Sequence, residues 1–200
     1  DGLAPADIRD AIHATTVATN AILENRGAKT GLVTTKGFRD VLEIGRLRYP
    51  RLYDLTWQRP PPLVRRANRL EVTERVDHLG TVLTPLDRDE CETAARRLVA
   101  SGVESVAVCF INSYTNPAHE RECGQILAKY FRPEAISLSV DVLPQIREYD
   151  RSSTTVINAY IKPLITGYLG NLIEKLRDVD IEAPVLVMQS HGGVVDSAGA

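Results

Sequence analysis

The chain has 200 residues, 44% of them apolar and 25% charged, with a net charge of −2. These are ordinary globular values at a length that holds one large domain or one and a half small ones, so disorder is excluded as the default state. The near-neutral balance, without a block of like charges, argues against a nucleic-acid surface, and no apolar run reaches the ~18 residues of a membrane span.

No signal peptide is recognisable, and the chain opens on Asp1-Gly2-Leu3 without a Met, which suggests an internal piece of something longer. Cys91, Cys109 and Cys123 are odd in number and form no C-x-x-C pair. They read as reduced core residues of a cytoplasmic protein.

Ala11-Ile12-His13 is a brief apolar entry to a polar turn. Thr15 or Thr16 then suits an N-cap, and a helix is expected to about Arg26, with Val17, Ala18, Ala21 and Ile22 inward and Gly27 as its stop. A strand from Thr30 to Thr34 ends in a second Thr-Thr pair. A helix is expected over Phe38 to Arg46. Strand, polar turn and helix thus occur twice, and in open α/β sheets such strand ends hold ligands. Capping alone is the competing reading of Thr15 and Thr16.

Tyr49 to Val64 carries Pro50, Pro60, Pro61 and Pro62 with Tyr53 and Trp57, which excludes helix and central strand. It reads as a lid, an interface arm or a loop packed by its own aromatics. Arg46, Arg48 and Arg51 form a local basic cluster; Arg65, Arg66 and Arg69 form another, read as a solvated face. Arg69 to Asp77 alternates like a half-exposed strand, and Val82 to Thr84 returns as its hairpin partner around a solvated His78.

From Asp87 the pattern is regular. Asp87 with Glu90 resembles a capping box, and Cys91, Ala94, Ala95, Leu98 and Val99 share one helical face until Gly102. Ser105 to Ile111 reads as a strand buried on both faces. Asn116-Pro117 starts a helix with Cys123, Ile126, Leu127, Tyr130 and Phe131 inward and His119 solvated, and Ile136 to Val140 is the next strand. The alternation predicts a parallel α/β layer.

Arg147, Glu148, Tyr149, Asp150 and Arg151 precede a hydroxyl-rich helix start. They read either as a site or as i,i+4 charge pairing in which Arg147 and Arg151 flank Glu148. Pro163 is expected to break or kink that helix, and Tyr168 belongs to its apolar stripe. A final strand, Val185 to Ser190, runs into His191-Gly192-Gly193, where two glycines permit either close approach to a ligand or an ordinary turn. The four histidines, His13, His78, His119 and His191, have no metal-ligand spacing, and neither G-x-S-x-G nor a P-loop is present.

Several of these blocks carry a family resemblance. His13-Ala14-Thr15-Thr16-Val17-Ala18-Thr19-Asn20-Ala21 and Thr34 through Arg46 resemble consecutive segments of the hydantoinase A / 5-oxoprolinase family. So do Asn116 to Arg121, Leu143 to Tyr160 and Met188 to Gly193. The family also includes acetone and acetophenone carboxylase subunits. The resemblance implies an incomplete actin-like, sugar-kinase-like (ribonuclease H-like) ATPase fold, a mixed sheet flanked by helices. Residues 1–183 would be the N-terminal region and 184–200 the start of the following hydantoinase A domain. It implies ATP and Mg²⁺, and a cyclic amide activated by phosphorylation of its carbonyl oxygen. A ketone carboxylase subunit and a non-catalytic scaffold are the alternatives. A hydantoinase B-type subunit or domain is the implied partner.

Ala14 stands where the family usually has Gly, and His191 where Asn is common. The Asp-x-Gly-Gly-Thr phosphate hairpin and the second Gly-rich phosphate loop are absent, so the 200-residue piece is expected to hydrolyse no ATP alone. The candidate residues are His13 and Arg46 for the chemistry, with Thr15, Thr16, Asn20, Arg147, Glu148, Tyr149, Gly192 and Gly193 for substrate or nucleotide. His13 would donate to a developing oxyanion, the threonines would hold phosphate or amide, and Arg46 would neutralise charge.

Overall fold

The computed structural model describes residues 4–46, 53–54, 56–189 and 192–196. In chain order its elements are β1 (Ala11–His13), α1 (Val17–Leu23), β2 (Thr30–Thr35), α2 (Val41–Ile44), β3 (Arg69–Val72), β4 (Arg75–Val76) and β5 (Val82–Thr84). There follow α3 (Arg88–Ala100), β6 (Ser105–Cys109), α4 (Ala118–Leu127), β7 (Ile136–Leu138), α5 (Ser139–Val142), α6 (Glu148–Arg177), β8 (Val185–Met188) and β9 (Val194–Asp196). They form two compact units, residues 28–163 and residues 1–27 with 164–200.

The larger unit is a parallel sheet, in the order β3-β2-β6-β7, between helical layers. Alternation within the strands divides the core. Val33, Val106 and Val108 face Leu98 of α3 and Cys123 and Leu127 of α4. Leu32, Ala107 and Cys109 face Leu42 of α2, Val64, and Val156 and Ala159 of α6. A β-carbon on Gly31 would lie 2.7 Å from Leu98 Cδ2, so glycine lets α3 approach β2 closely. The expected strand buried on both faces is β6.

The expected cap also forms. Asp87 Oδ1 accepts from Glu90 N at 2.9 Å, but Glu90 does not complete the box, because its Oε2 accepts from Thr73 N at 2.6 Å. Val99 lies outside the buried face of α3 and is exposed.

Several expectations are corrected. The helix expected over 38–46 is the single turn α2, bounded by Gly37 at φ +90° and Gly45 at φ +57°, conformations that end a helix. Helix α1 stops at Leu23, ahead of Asn25 at φ +55°. Of its expected inner face only Ala21 is fully buried. The 69–77 stretch divides into β3, a largely buried parallel strand, and β4, which pairs with β5 as the hairpin. The break follows from Glu74, which turns inward to a buried partner.

His119 is buried against Glu74, and Arg69 of the supposed solvated cluster is buried too. Strand β7 ends at Leu138 because α5 begins there. Helix α6 is not broken at Pro163 but continues through it to Arg177. Proline deprives the Ala159 carbonyl of its helical donor, and Ser105 Oγ donates to it instead at 2.6 Å. The next carbonyl, Tyr160 O, accepts from Ala28 N at 2.9 Å.

The smaller unit contains the mixed sheet β1-β8-β9, with β1 parallel and β9 antiparallel to β8. Ala21, Leu169, Val185 and Val187 are its buried apolar residues.

Candidate functional site

In the larger unit, β2 connects to β3 on one side and β6 to β7 on the other, so the adjacent carboxyl ends of β2 and β6 form a topological switch point. That point is filled by the chain itself. Thr34 Oγ1 donates to Cys109 O at 2.9 Å. Thr35 Oγ1 donates to Glu74 Oε1 and accepts from Ile111 N at 2.9 Å, and Glu74 Oε2 is 2.8 Å from His119 Nδ1. Glu120 is likewise enclosed. Its Oε1 accepts from Phe110 N, Ser113 Oγ and Ser139 Oγ, and its Oε2 from Val140 N. Burial pushes the Glu120 carboxyl up, against the pull of those four donors.

An open depression of this unit lies where α2 ends and α6 begins. Arg46, Arg147, Glu148, Tyr149 and Asp150 line a depression of about 570 Å³ with Val41, Ile44 and Gly45. The structure therefore brings together four of the residues singled out from sequence, Arg46 and Arg147–Tyr149. Arg46 grips Asp150 Oδ1 through Nε at 2.9 Å and through Nη2. Arg147 takes φ +82°, unusual for a non-glycine residue, and its carbonyl accepts from Arg151 N at 3.0 Å. Glycine suits position 45 because its φ is +57° with ψ −146°, and a β-carbon there would also displace the Arg59 guanidinium, 2.5 Å away at Nη1. Arg59 in turn caps α2, donating to Glu43 O and Ile44 O. This fixes part of the proline-rich arm; residues 47–52 and 55 lie outside the described residues, Arg48 and Arg51 among them.

Arg151 does not join a charge pair with Glu148, as expected, but turns into the core. Its Nη2 donates to Phe110 O at 2.6 Å and its guanidinium lies 5.3 Å from the Tyr114 ring, while Nε and Nη1 have no acceptor among the described residues. Ser152 Oγ lies 3.1 Å from Cys109 Sγ, whose thiol is pushed up by burial. The polar block thus divides: 147–150 line the depression, while Arg151 and Ser152 pin α6 to the end of β6.

In the smaller unit, His13 Nε2 is 2.9 Å from the Tyr168 hydroxyl, with ring centroids 5.6 Å apart. Thr15 Oγ1 accepts from Val17 N at 3.2 Å, which is the capping role. Thr16 makes no cap; its Oγ1 accepts from Asn20 Nδ2 at 3.4 Å, and both side chains are exposed. Gly192, at φ +86°, donates to Gln189 O in the turn between β8 and β9, closed by Gln189 N to Gly193 O at 2.8 Å. The two glycines thus sit in a hydrogen-bonded turn; His191 lies outside the described residues.

Sequence reasoning missed Tyr168, Glu74 and Glu120, and named Asp150 only within its polar block, not as the partner of Arg46. A tyrosine in an apolar stripe was the one available signal, since a part-buried phenol needs a partner. Among the described residues no group of three or more His, Cys, Asp or Glu is placed to hold a metal. None forms a glycine-rich phosphate cradle either, so the residues present do not by themselves fit a triphosphate. No described helix is long and apolar enough to cross a membrane.

Fold and site define an α/β chain of helix-flanked sheets with a polar depression at a helix start. The chain belongs to the hydantoinase/oxoprolinase family: the family's N-terminal region matches residues 2–131, and its hydantoinase/oxoprolinase domain matches residues 151–200. It is 34% identical to the caprolactamase subunit alpha of Pseudomonas jessenii over 94% of this chain and 27% of that one. It is 32% identical to the acetophenone carboxylase gamma subunit of Aromatoleum aromaticum (92% and 27%) and 36% identical to 5-oxoprolinase 1 of Arabidopsis thaliana (90% and 16%). The crystal structure of the ATP-dependent caprolactamase from Pseudomonas jessenii superposes with a TM-score of 0.88 at 33% identity, over 96% of this chain and 28% of that one. A nucleotide-free acetone carboxylase gives 0.82 at 27% identity, over 93% and 28%. The chain thus spans about a quarter or less of the length of the curated relatives it matches.

Proposed function

We propose that the chain is part of an ATP-dependent hydrolase subunit that opens a cyclic amide, within an actin-like ATPase fold completed by further residues. The match to caprolactamase along nearly the whole chain, in sequence and backbone, carries this reading. Lactams resist hydrolysis because the amide is resonance-stabilised and its nitrogen leaves poorly. ATP would phosphorylate the carbonyl oxygen with release of ADP and so remove that resonance, with Mg²⁺ to offset phosphate charge. Water would then add to the carbon, and the C–N bond would break as the ring nitrogen is protonated. The acyl phosphate left would be hydrolysed to carboxylate and phosphate. The partner would be a hydantoinase B-type subunit or domain, and the site cytoplasmic.

This chain's own residues would position the substrate. Tyr168 holds the His13 ring so that its other nitrogen can donate to an amide oxygen that gains charge. Thr16 and Asn20 offer exposed donors one turn further on. Arg46, oriented by Asp150, and Arg147 would neutralise an anionic substrate group or phosphate at the α6 start.

The test is phosphate release by the full-length protein with its partner subunit. Stimulation by caprolactam, 5-oxoproline or a hydantoin without bicarbonate is the expected result. Stimulation only by a ketone with bicarbonate would move the protein to the carboxylases, a reading kept by the acetophenone and acetone carboxylase matches. In the active protein, His13→Ala is expected to lower turnover by at least about tenfold, or ~1.4 kcal/mol of transition-state stabilisation. Unchanged turnover removes His13 from the site.

A further inference from the structure

Beside the edge strand β3 lies a second depression, of about 490 Å³, to which the function proposed above assigns nothing. Lys36, Arg39, Arg66, Arg69 and Arg97 line it. In a chain of net charge −2, so many cations around one concavity require an account.

The internal partners do not neutralise them. Arg66 is committed to Asp40, with both bonds at 2.9 Å, and holds that carboxyl below its usual range. Arg69 is committed to Glu43 and to Val64 O, and its buried Nη1, 3.9 Å from Asp40 Oδ1, has no hydrogen-bond acceptor among the described residues. The two carboxylates in the wall, Glu71 and Glu90, each accept a backbone amide, from Gly37 at 2.7 Å and Thr73 at 2.6 Å. Glu71 is then 3.8 Å from Arg39 Nε, itself buried without an acceptor, and Glu90 is 3.9 Å from Lys36 Nζ. Arg97 has no acceptor among the described residues. Lys36, Arg39 and Arg97 therefore carry charge that the fold leaves weakly opposed.

We propose that this depression is an anion site for a small phosphorylated molecule bearing two or more negative charges. Two guanidinium forks suit the oxygens of a tetrahedral phosphate, and the Lys36 ammonium supplies a point charge beside them. The required charge distinguishes it from a site for a neutral amide. It is also separate from the depression at the start of α6, with which it shares no lining residue.

Calorimetric titration of the full-length protein with pyrophosphate at low ionic strength tests this, because screening weakens such a site. Saturable binding is expected. Arg97→Glu and Lys36→Glu should each weaken it at least tenfold, and Arg132→Glu, outside the depression, should leave it unchanged. Circular dichroism melting of each variant checks that the fold is kept. No saturable binding in the wild type overturns the proposal, as does binding indifferent to both reversals, since a nucleotide site elsewhere would survive them. The titration needs no turnover, so its outcome is separate from that of the substrate-stimulated phosphate release.

Discussion

The Thr-Thr pairs at 15–16 and 34–35 occupy equivalent places in the sequence, each between a short apolar run and a helix start, yet their surroundings are opposite. Thr34 and Thr35 are buried, and every bond they make reaches another strand or loop of the sheet. Thr15 and Thr16 bond only within their own turn and helix, and Thr16 is exposed. Thr34 and Thr35 tie β2 to β6 and Glu74, whereas Thr15 and Thr16 make no bond outside their own turn and helix among the described residues. A hydroxyl at a strand end therefore takes its role from how much of its bonding capacity the fold consumes.

The largest expected effect tests the buried pair. Thr35→Val keeps the shape but strands the Ile111 amide and one oxygen of Glu74, and buried groups left without partners cost about 1–3 kcal/mol each, so a loss of about 3 kcal/mol is expected in denaturant unfolding. A loss below about 1 kcal/mol would mean that water or a shifted side chain replaces the hydroxyl, and the comparison would weaken. Next comes the exposed pair. Thr16→Val removes only a 3.4 Å contact with Asn20, so stability should change by no more than about 0.5 kcal/mol. Activity of the full-length protein should fall instead, by about tenfold if Thr16 holds substrate, as one lost hydrogen bond of ~1.4 kcal/mol predicts. A stability loss equal to that of Thr35→Val would erase the distinction.

Periodicity made much of the larger unit legible. The buried run at β6, the apolar face and Asp87 cap of α3, and the helix after Asn116-Pro117 each follow from local pattern. What was not legible depends on distant partners. Glu74 looks like a solvated strand residue until His119, 45 positions on, and Thr35, 39 positions back, are placed beside it. Pro163 looks like a helix breaker until Ser105 takes up the orphaned carbonyl. Arg151 cannot be separated from Arg147 by type or spacing, although one is fully buried and the other lines the depression. Of the candidate site, Arg46 and Arg147–Tyr149 stood out separately because their sequence blocks are dense in polar groups, and only the fold brings them to one depression. The Tyr168 partner of His13 was hidden by its place in an apolar stripe.

The smallest effect extends the comparison to a charged residue whose bonds, like those of Thr15, are local. Asp77 Oδ1 accepts from Thr81 N and Leu79 N, both at 2.8 Å, at the β4–β5 hairpin. The Thr81 amide above all, with that of Leu79, holds its carboxyl below the ordinary value of 3.8. A lowered folded pKa means that the unfolded chain binds the proton more readily. The contribution to stability is therefore complete above the unfolded value and is lost as pH falls through the folded one. Because the carboxylate bonds only to amides of its own hairpin turn, the change belongs to the turn rather than to the global fold. Lowering the pH from 5 to about 2 should shift the Thr81 and Leu79 amide resonances together, with an apparent pKa below the ordinary carboxylate value. In Asp77→Asn that titration should vanish. If the two amides titrate at different pH values, the carboxylate does not hold them jointly, and a neighbouring charge such as His78 governs one of them.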